Sequence, residues 1–299
     1  MRMLKTANSL GDKSMTPRAL QKHRRTLEIL GRMASPAKFV HTTEFSVKGI
    51  PCEKISPKIR IKKPHRIILY AHGGGYTSGG LSYAQILAGK MALETGLDVI
   101  SFDYALAPEN KYPAQLKDAI TVWDRLMASG ARPDQIILAG DSAGGNLSLC
   151  LTQHLISKRK IRPKALLLFS PWADMVGVTS SYELYGDLDP VLTRSFVEEC
   201  AAAYIGDKGH PSDSRFSPIN GSFEGFPPTL IQVGRTEILL DDSIRLYKRI
   251  RSCGSRAVLD IEEAGWHVYQ QMPLPMAADA IKRLGDFVRQ LPSEHKRNR

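Results

Sequence analysis

The chain sets short apolar runs against longer stretches in which apolar positions recur every three or four residues. From residue 66 onward the two alternate. Runs at 66–71, 98–103, 135–140, 164–170, 229–233 and 257–262 are rich in Ile, Leu and Val and predict buried strands. Between them, 82–95, 113–129, 145–157, 241–253 and 276–290 have helical spacing. Strands alternating with helices are the sequence form of a mainly parallel sheet flanked by helices, an α/β fold. The earlier runs 42–48 and 53–61 predict extra strands, antiparallel, at the sheet edge. Nothing repeats internally, and the tail 294–299 reads as frayed.

One interval breaks the alternation. Almost sixty residues separate Ser170 from Thr229, too many for one crossover helix or for a structureless loop. The stretch 193–204 has helical character, so 182–226 reads as an inserted cap. The basic stretch 16–33, with Leu20, Leu27 and Leu30 at helical spacing, predicts a helix that packs beside that insertion. The chain therefore divides into N-terminal cap helices over residues 1–40 and a main domain over 41–299 that carries the insertion.

Composition narrows the class. At 299 residues, 42% hydrophobic and 24% charged, the chain is an ordinary globular mixture with enough length for a large core. No apolar run reaches the roughly 18 to 20 residues that span a bilayer, and residues 1–14 lack the apolar core of a secretory signal. The four cysteines lie far apart without CxxC spacing, so reduced thiols and a cytoplasmic location are expected, with no metal site. The net charge of +11 is uneven: residues 1–66 hold 16 Lys/Arg against 4 Asp/Glu, while the remainder is nearly balanced. The basic residues are scattered with few aromatics among them, which reads as a solvated helical face rather than a nucleic-acid surface.

The chemistry is concentrated in a few motifs. Gly140-Asp141-Ser142-Ala143-Gly144 is a GxSxG pattern between an apolar run and a helical stretch, the context of a nucleophile elbow that lifts Ser142 above the sheet. A serine hydroxyl needs a base within reach and donors for a developing oxyanion. His72-Gly73-Gly74-Gly75-Tyr76 follows the strand at 66–71 and reads as an oxyanion loop of the HGGG type. In it His72 and Gly73 act as the loop's anchor, against a proton-transfer role for His72. The backbone N–H of Ala143 would complete the hole. A phosphate-cradling loop is disfavoured, because no Lys-Ser/Thr follows and GxGxxG spacing is absent.

The base should come late in the chain. Of the eight histidines, His267 lies on a loop just after the strand at 257–262, where sites on open α/β sheets gather. His154 falls in a helix, His210 in the insertion and His295 in the tail. The acid should follow the strand at 229–233, and Glu237 stands there to hold the Nδ1 proton of His267. Asp241 and Asp242 compete for that role but fit better as N-terminal residues of the next helix.

These residues in this order resemble the hormone-sensitive-lipase-like carboxylesterases of the α/β-hydrolase fold, in the branch with a GDSAG elbow. The resemblance runs from about residue 65 to 288 and also rests on Asp103-Tyr104-Ala105-Leu106-Ala107-Pro108-Glu109, Ser170-Pro171-Trp172, Asp189-Pro190, Ser217-Pro218, Pro227-Pro228 and 234–242. It implies an α/β-hydrolase fold with a helical cap, a triad of Ser142, Glu237 and His267, and oxyanion donors from Gly74, Gly75 and Ala143. The chain departs from the family where Glu237 replaces the commoner aspartate and Ala105 replaces an arginine.

The expected function is that of a serine carboxylesterase acting through an acyl-enzyme on short or medium acyl esters or lactones, without cofactor or metal. The expected partner is that small substrate, with no nucleic acid and no stable membrane insertion, and a homodimer is compatible with the reading. A non-catalytic small-molecule binder on the same fold is the alternative. A third class, a module using the basic N-terminal third on nucleic acid or membrane, would bind in a strongly salt-dependent way.

Overall fold

Strands that are apolar throughout need cover on both faces, and the intervening helices supply it. The structure, a computed structural model, describes residues 16–36, 38–58 and 66–292. Among these residues eight strands form one sheet: β1 (Val40–Val47), β2 (Ile50–Pro57), β3 (Ile67–Ala71), β4 (Asp98–Phe102), β5 (Ile136–Asp141), β6 (Ala165–Phe169), β7 (Thr229–Gly234) and β8 (Ala257–Glu262). Their order is β1-β2-β4-β3-β5-β6-β7-β8. β3 to β8 run parallel, and β2 pairs antiparallel with both β1 and β4, as the sequence predicts for the edge. Lys48 and Gly49, at φ 50° and 87°, make the two-residue turn of the β1–β2 hairpin. Val47 therefore pairs with Ile50, and β2 begins ahead of the apolar pattern that announced it. Residues 59–61 of the predicted second strand and the tail 294–299 lie outside the described residues, as do the first fifteen.

The helices are α1 (Pro17–Ala34), α2 (Leu81–Thr95), α3 (Ala114–Ala128), α4 (Ala143–Arg159), α5 (Ser180–Leu184), α6 (Arg194–Ile205), α7 (Leu240–Ser252) and α8 (Pro275–Arg289). Alternation along β5 separates the two core layers. Ile137 and Ala139 face Leu87 and Met91 of α2 and Leu284 and Val288 of α8, while Ile136 and Leu138 join Trp123 of α3, Leu147 and Leu151 of α4 and Leu246 of α7. Among the described residues no helix is long and apolar enough to cross a membrane.

Topology then places the site. From β3 the chain passes to β4 on one side, then returns to β5 on the other, so strand order reverses at the β3–β5 boundary. Ligands of open α/β sheets bind at the carboxyl ends of the strands at such a point. The register Ala71↔Gly140 brings the loop after β3 beside the turn after β5. Between β6 and β7, α5, α6 and short turns replace a simple crossover. α1 lies against α2 and reaches α6, where the rings of His23 and Phe196 meet edge to face at 5.6 Å.

Candidate active site

Ser142 stands between β5 and α4 with φ 52° and ψ −119°, a backbone conformation a serine adopts only under constraint. The turn is tight because α4 begins at Ala143, the next residue, without the linker that the sequence pattern allowed. A side chain on Gly140 would run into the backbone of Gly144 and Gly145, which is why the elbow requires glycine there. Ser142 N donates to Phe169 O and Trp172 N donates to Ser142 O, so the nucleophile position is braced against the end of β6.

The loop after β3 is fixed by a fully buried carboxylate. Asp141 Oδ1 accepts from Gly73 N at 2.7 Å and Tyr70 Oη at 2.5 Å, and Oδ2 accepts from Tyr83 Oη at 2.9 Å. Burial pushes the Asp141 carboxyl up, against these hydrogen bonds and the nearby histidines. His72 is likewise fully buried, stacked on Tyr104 at 4.2 Å, with Nδ1 2.7 Å from Gly73 O. A carbonyl only accepts, so Nδ1 carries the proton and Nε2, 3.9 Å from Asp103 Oδ1, does not need one. Burial pushes its basicity down. His72 thus sits as an anchor of the loop. At Gly75, φ 64°, a side chain would run into Cys200 Sγ of α6. Among the described residues the backbone N–H groups of Gly74, Gly75 and Ala143 meet no acceptor. Unspent donors of this kind, one of them at a helix N-terminus, suit a developing negative charge.

The last two strands bring the acid and the base together. Arg235 N donates to Glu262 O and Thr236 N to Gly265 O, which locks the loop after β7 to the loop after β8. His267 Nδ1 lies 3.3 Å from Glu237 Oε1, both residues being buried. Glu237 Oε2 accepts from Gly234 N and from Ser170 Oγ, each at 2.8 Å. The same Ser170 Oγ accepts from Val268 N at 3.1 Å, so one hydroxyl ties acid loop to base loop. Burial by itself would lower the basicity of His267, but the hydrogen bond and charge of Glu237, with Asp189 and Asp141 behind it, raise it above the ordinary histidine value. The two competing acids are engaged elsewhere. Asp241 accepts from Ser181 N, and Asp242, whose carboxyl is pushed well up by complete burial, accepts from Ala173 N and Asp174 N.

The structure therefore joins Glu237 to His267 and sets Ser142 beside the β6 end that carries Ser170. Ser142 is 8% exposed, and its hydroxyl makes no hydrogen bond to the described residues, so its bond to His267 is not formed here. Such bonds often tighten only once substrate is bound. His154 and His210 stand apart, the latter exposed and bonded to Ser212. Sequence reasoning missed Ser170, Asp141 and Tyr83 as supports. Ser170 has one local mark, a positive φ of 45° after β6, which is invisible in sequence. Among the described residues no cluster of His, Cys, Asp and Glu is arranged to hold a metal.

Comparison with known proteins agrees with the fold. A family profile described as the alpha/beta hydrolase fold matches residues 68–271. An esterase of Acinetobacter venetianus is 30% identical over 280 residues, covering 93% of this chain and 90% of its own. A putative acetyl-hydrolase, LipR, of Mycobacterium tuberculosis is 31% identical over 87% of this chain and 85% of its own. The crystal structure of an esterase from the bacterial hormone-sensitive lipase family superimposes with a TM-score of 0.87 at 33% identity, covering 97% of this chain and 95% of that one.

Proposed function

The chain belongs to the α/β-hydrolase fold family, in its hormone-sensitive-lipase-like branch, and is a carboxylesterase; from that premise we propose that Ser142, His267 and Glu237 carry out the hydrolysis. Ser142 Oγ attacks the ester carbonyl while His267 Nε2 takes its proton, and Glu237 steadies the imidazolium through Nδ1. The carbonyl oxygen, now negative, is received by the N–H groups of Gly74, Gly75 and Ala143. Collapse expels the alcohol, which takes the proton from His267 and leaves an acyl-enzyme. Water, deprotonated by His267, then releases the acid and restores Ser142.

The observation that carries this reading is the buried Glu237–His267 pair, held in place by Ser170 from the strand on which Ser142 is braced. The substrate is a short or medium acyl ester or a lactone, a small molecule rather than a nucleic acid. Residues 1–40 and the insertion at about 182–226 form the cap; α1 bound to α2 and touching α6 supports this, with the insertion's first helix opening at Ser180. Four free cysteines support a cytoplasmic setting. Incubation with an organophosphonate ester, followed by peptide mass spectrometry, should find one adduct, on Ser142. An adduct elsewhere, or inhibition without one, refutes the assignment.

A further inference from the structure

Three carboxylates surround the His267 imidazole, and the mechanism above uses one. Glu237 bonds it from the loop after β7, and Asp141 at the end of β5 and Asp189 in the insertion between β6 and β7 are close enough for their charges to act on it. Asp141 is occupied with the loop after β3. Asp189 is 6% exposed, and among the described residues no lysine or arginine bonds it. Its Oδ1 accepts from Val191 N and Leu192 N, both at 2.9 Å, and so closes the turn that leads into α6. Its Oδ2 accepts from Ile238 N at 3.1 Å, across 49 residues of sequence.

Ile238 directly follows Glu237, so that last bond fixes the peptide plane from which the Glu237 side chain departs. The carboxylate end of Glu237 is already held by Gly234 N and Ser170 Oγ. With its backbone also fixed, the side chain has no remaining freedom to swing away from His267. We propose that Asp189, carried by the insertion rather than by the sheet, is a positioning residue for the acid–base pair: it pins the Glu237 loop through Ile238 N–H and sets a second negative charge opposite His267. The groups that face Asp189 are His267 and Glu237, the first attractive and the second repulsive. Its negative charge strengthens the imidazolium, and burial with a like charge nearby raises its own carboxyl, an effect His267 and the N–H bonds of Leu192 and Val191 oppose.

This rests on the triad reading, so the measurement is one that does not need turnover. Proton NMR titration of the His267 imidazole, assigned by its loss in His267→Gln, is compared between the wild-type protein and Asp189→Asn. Removing the charge should lower the midpoint by about half a pH unit or more. The acid limb of kcat/KM should move down by the same interval, and kcat should fall about tenfold with KM nearly unchanged. A purely structural role would lower the plateau and leave the midpoint in place. A midpoint within about 0.2 of wild type overturns the proposal whatever happens to kcat. If Asp189→Asn does not fold, Asp189→Ser is read in the same way. If neither folds, Asp189→Glu decides, since it keeps a carboxylate but moves it relative to His267: a displaced midpoint supports the role, and a midpoint within about 0.2 of wild type overturns it. Should Ser142→Ala remain active, the triad reading fails, and the NMR midpoint still judges Asp189 on its own.

Discussion

Replacing Glu237 by glutamine tests the acid with the least change in shape. Two donors, Gly234 N–H and the Ser170 hydroxyl, converge on Oε2, and a backbone N–H cannot turn round to accept. The carboxamide oxygen must therefore occupy that position, leaving its NH2 aimed at His267 Nδ1. The imidazole then has to present a lone pair at Nδ1 and carry its proton on Nε2, the wrong tautomer for a base that takes a proton from Ser142. The charge is lost as well. Two unit charges 3.3 Å apart interact by about 5 kcal/mol at an effective dielectric of about 20, equivalent to a factor of about 10³ to 10⁴ in rate if the full interaction serves the imidazolium-bearing transition state. Glu237→Gln should therefore lower kcat by about that factor with KM changed little, measured by pH-stat on an activated acetyl ester. Retention of more than about a tenth of the wild-type kcat/KM would refute the argument, as would a larger loss from Asp241→Asn.

Ser142→Ala should cut turnover by about 10⁴ to 10⁶ without altering the melting temperature, because it removes the attacking atom and almost no packing. The acid limb of the wild-type kcat/KM profile should lie above the ordinary histidine value of 6.5, since the base acts when neutral and its neighbours favour the cation; a limb below that value contradicts the carboxylate cluster. Asp141→Ala releases Gly73 N–H and should lower kcat by about 10², a loss on the scale of one misplaced oxyanion donor, checked by steady-state kinetics. Arg24→Ala removes the α1 guanidinium that donates to Thr77 O, Ala107 O and both oxygens of Glu109. With the ion pair partly exposed its charge counts for little, and the unpaired carbonyls dominate a cost of about 1–2 kcal/mol, read as a melting temperature lower by a few degrees and unmoved by Arg24→Lys only if packing alone matters.

The strands and helices were legible because each buried strand is a continuous apolar run and the outer helices α1, α7 and α8 each show one apolar stripe; β8 begins and ends where its pattern does, at Ala257 and Glu262. The proposed triad could be picked out for a different reason. Ser142, Glu237 and His267 each stand at the end of a strand, so the one-dimensional rule that sites gather at strand ends was enough to select them. What that rule omits is the bonding between strand ends. Ser170 reaches Glu237 across 67 residues and Val268 across 98, and Tyr70 reaches Asp141 across 71. These are ordinary residue types whose roles depend on sheet order, and the order β3-β5-β6-β7-β8 cannot be read from periodicity.

The two departures from the family pattern show how such distant bonds absorb local change. Glu237 has one methylene more than aspartate, and both of its oxygens are used: Oε2 folds back to Gly234 N, three residues behind it, while Oε1 extends to His267. A shorter carboxylate on this backbone would have to give up one of these bonds, so the loop after β7 is built for glutamate. At Ala105 the missing arginine is answered from another part of the chain. Arg24 of α1 donates to Ala107 O and to Glu109, while Asp118 accepts from Ala105 N. Because Arg24 also donates to Thr77 O, just beyond the glycine loop, α1 takes over part of the bracing of the proposed oxyanion side of the site. On the other side Asp189 joins the insertion to the Glu237 loop. Both segments proposed as the cap are thus bonded to the proposed machinery, one to each half, and movement of either would be felt there through a named hydrogen bond rather than through general loosening.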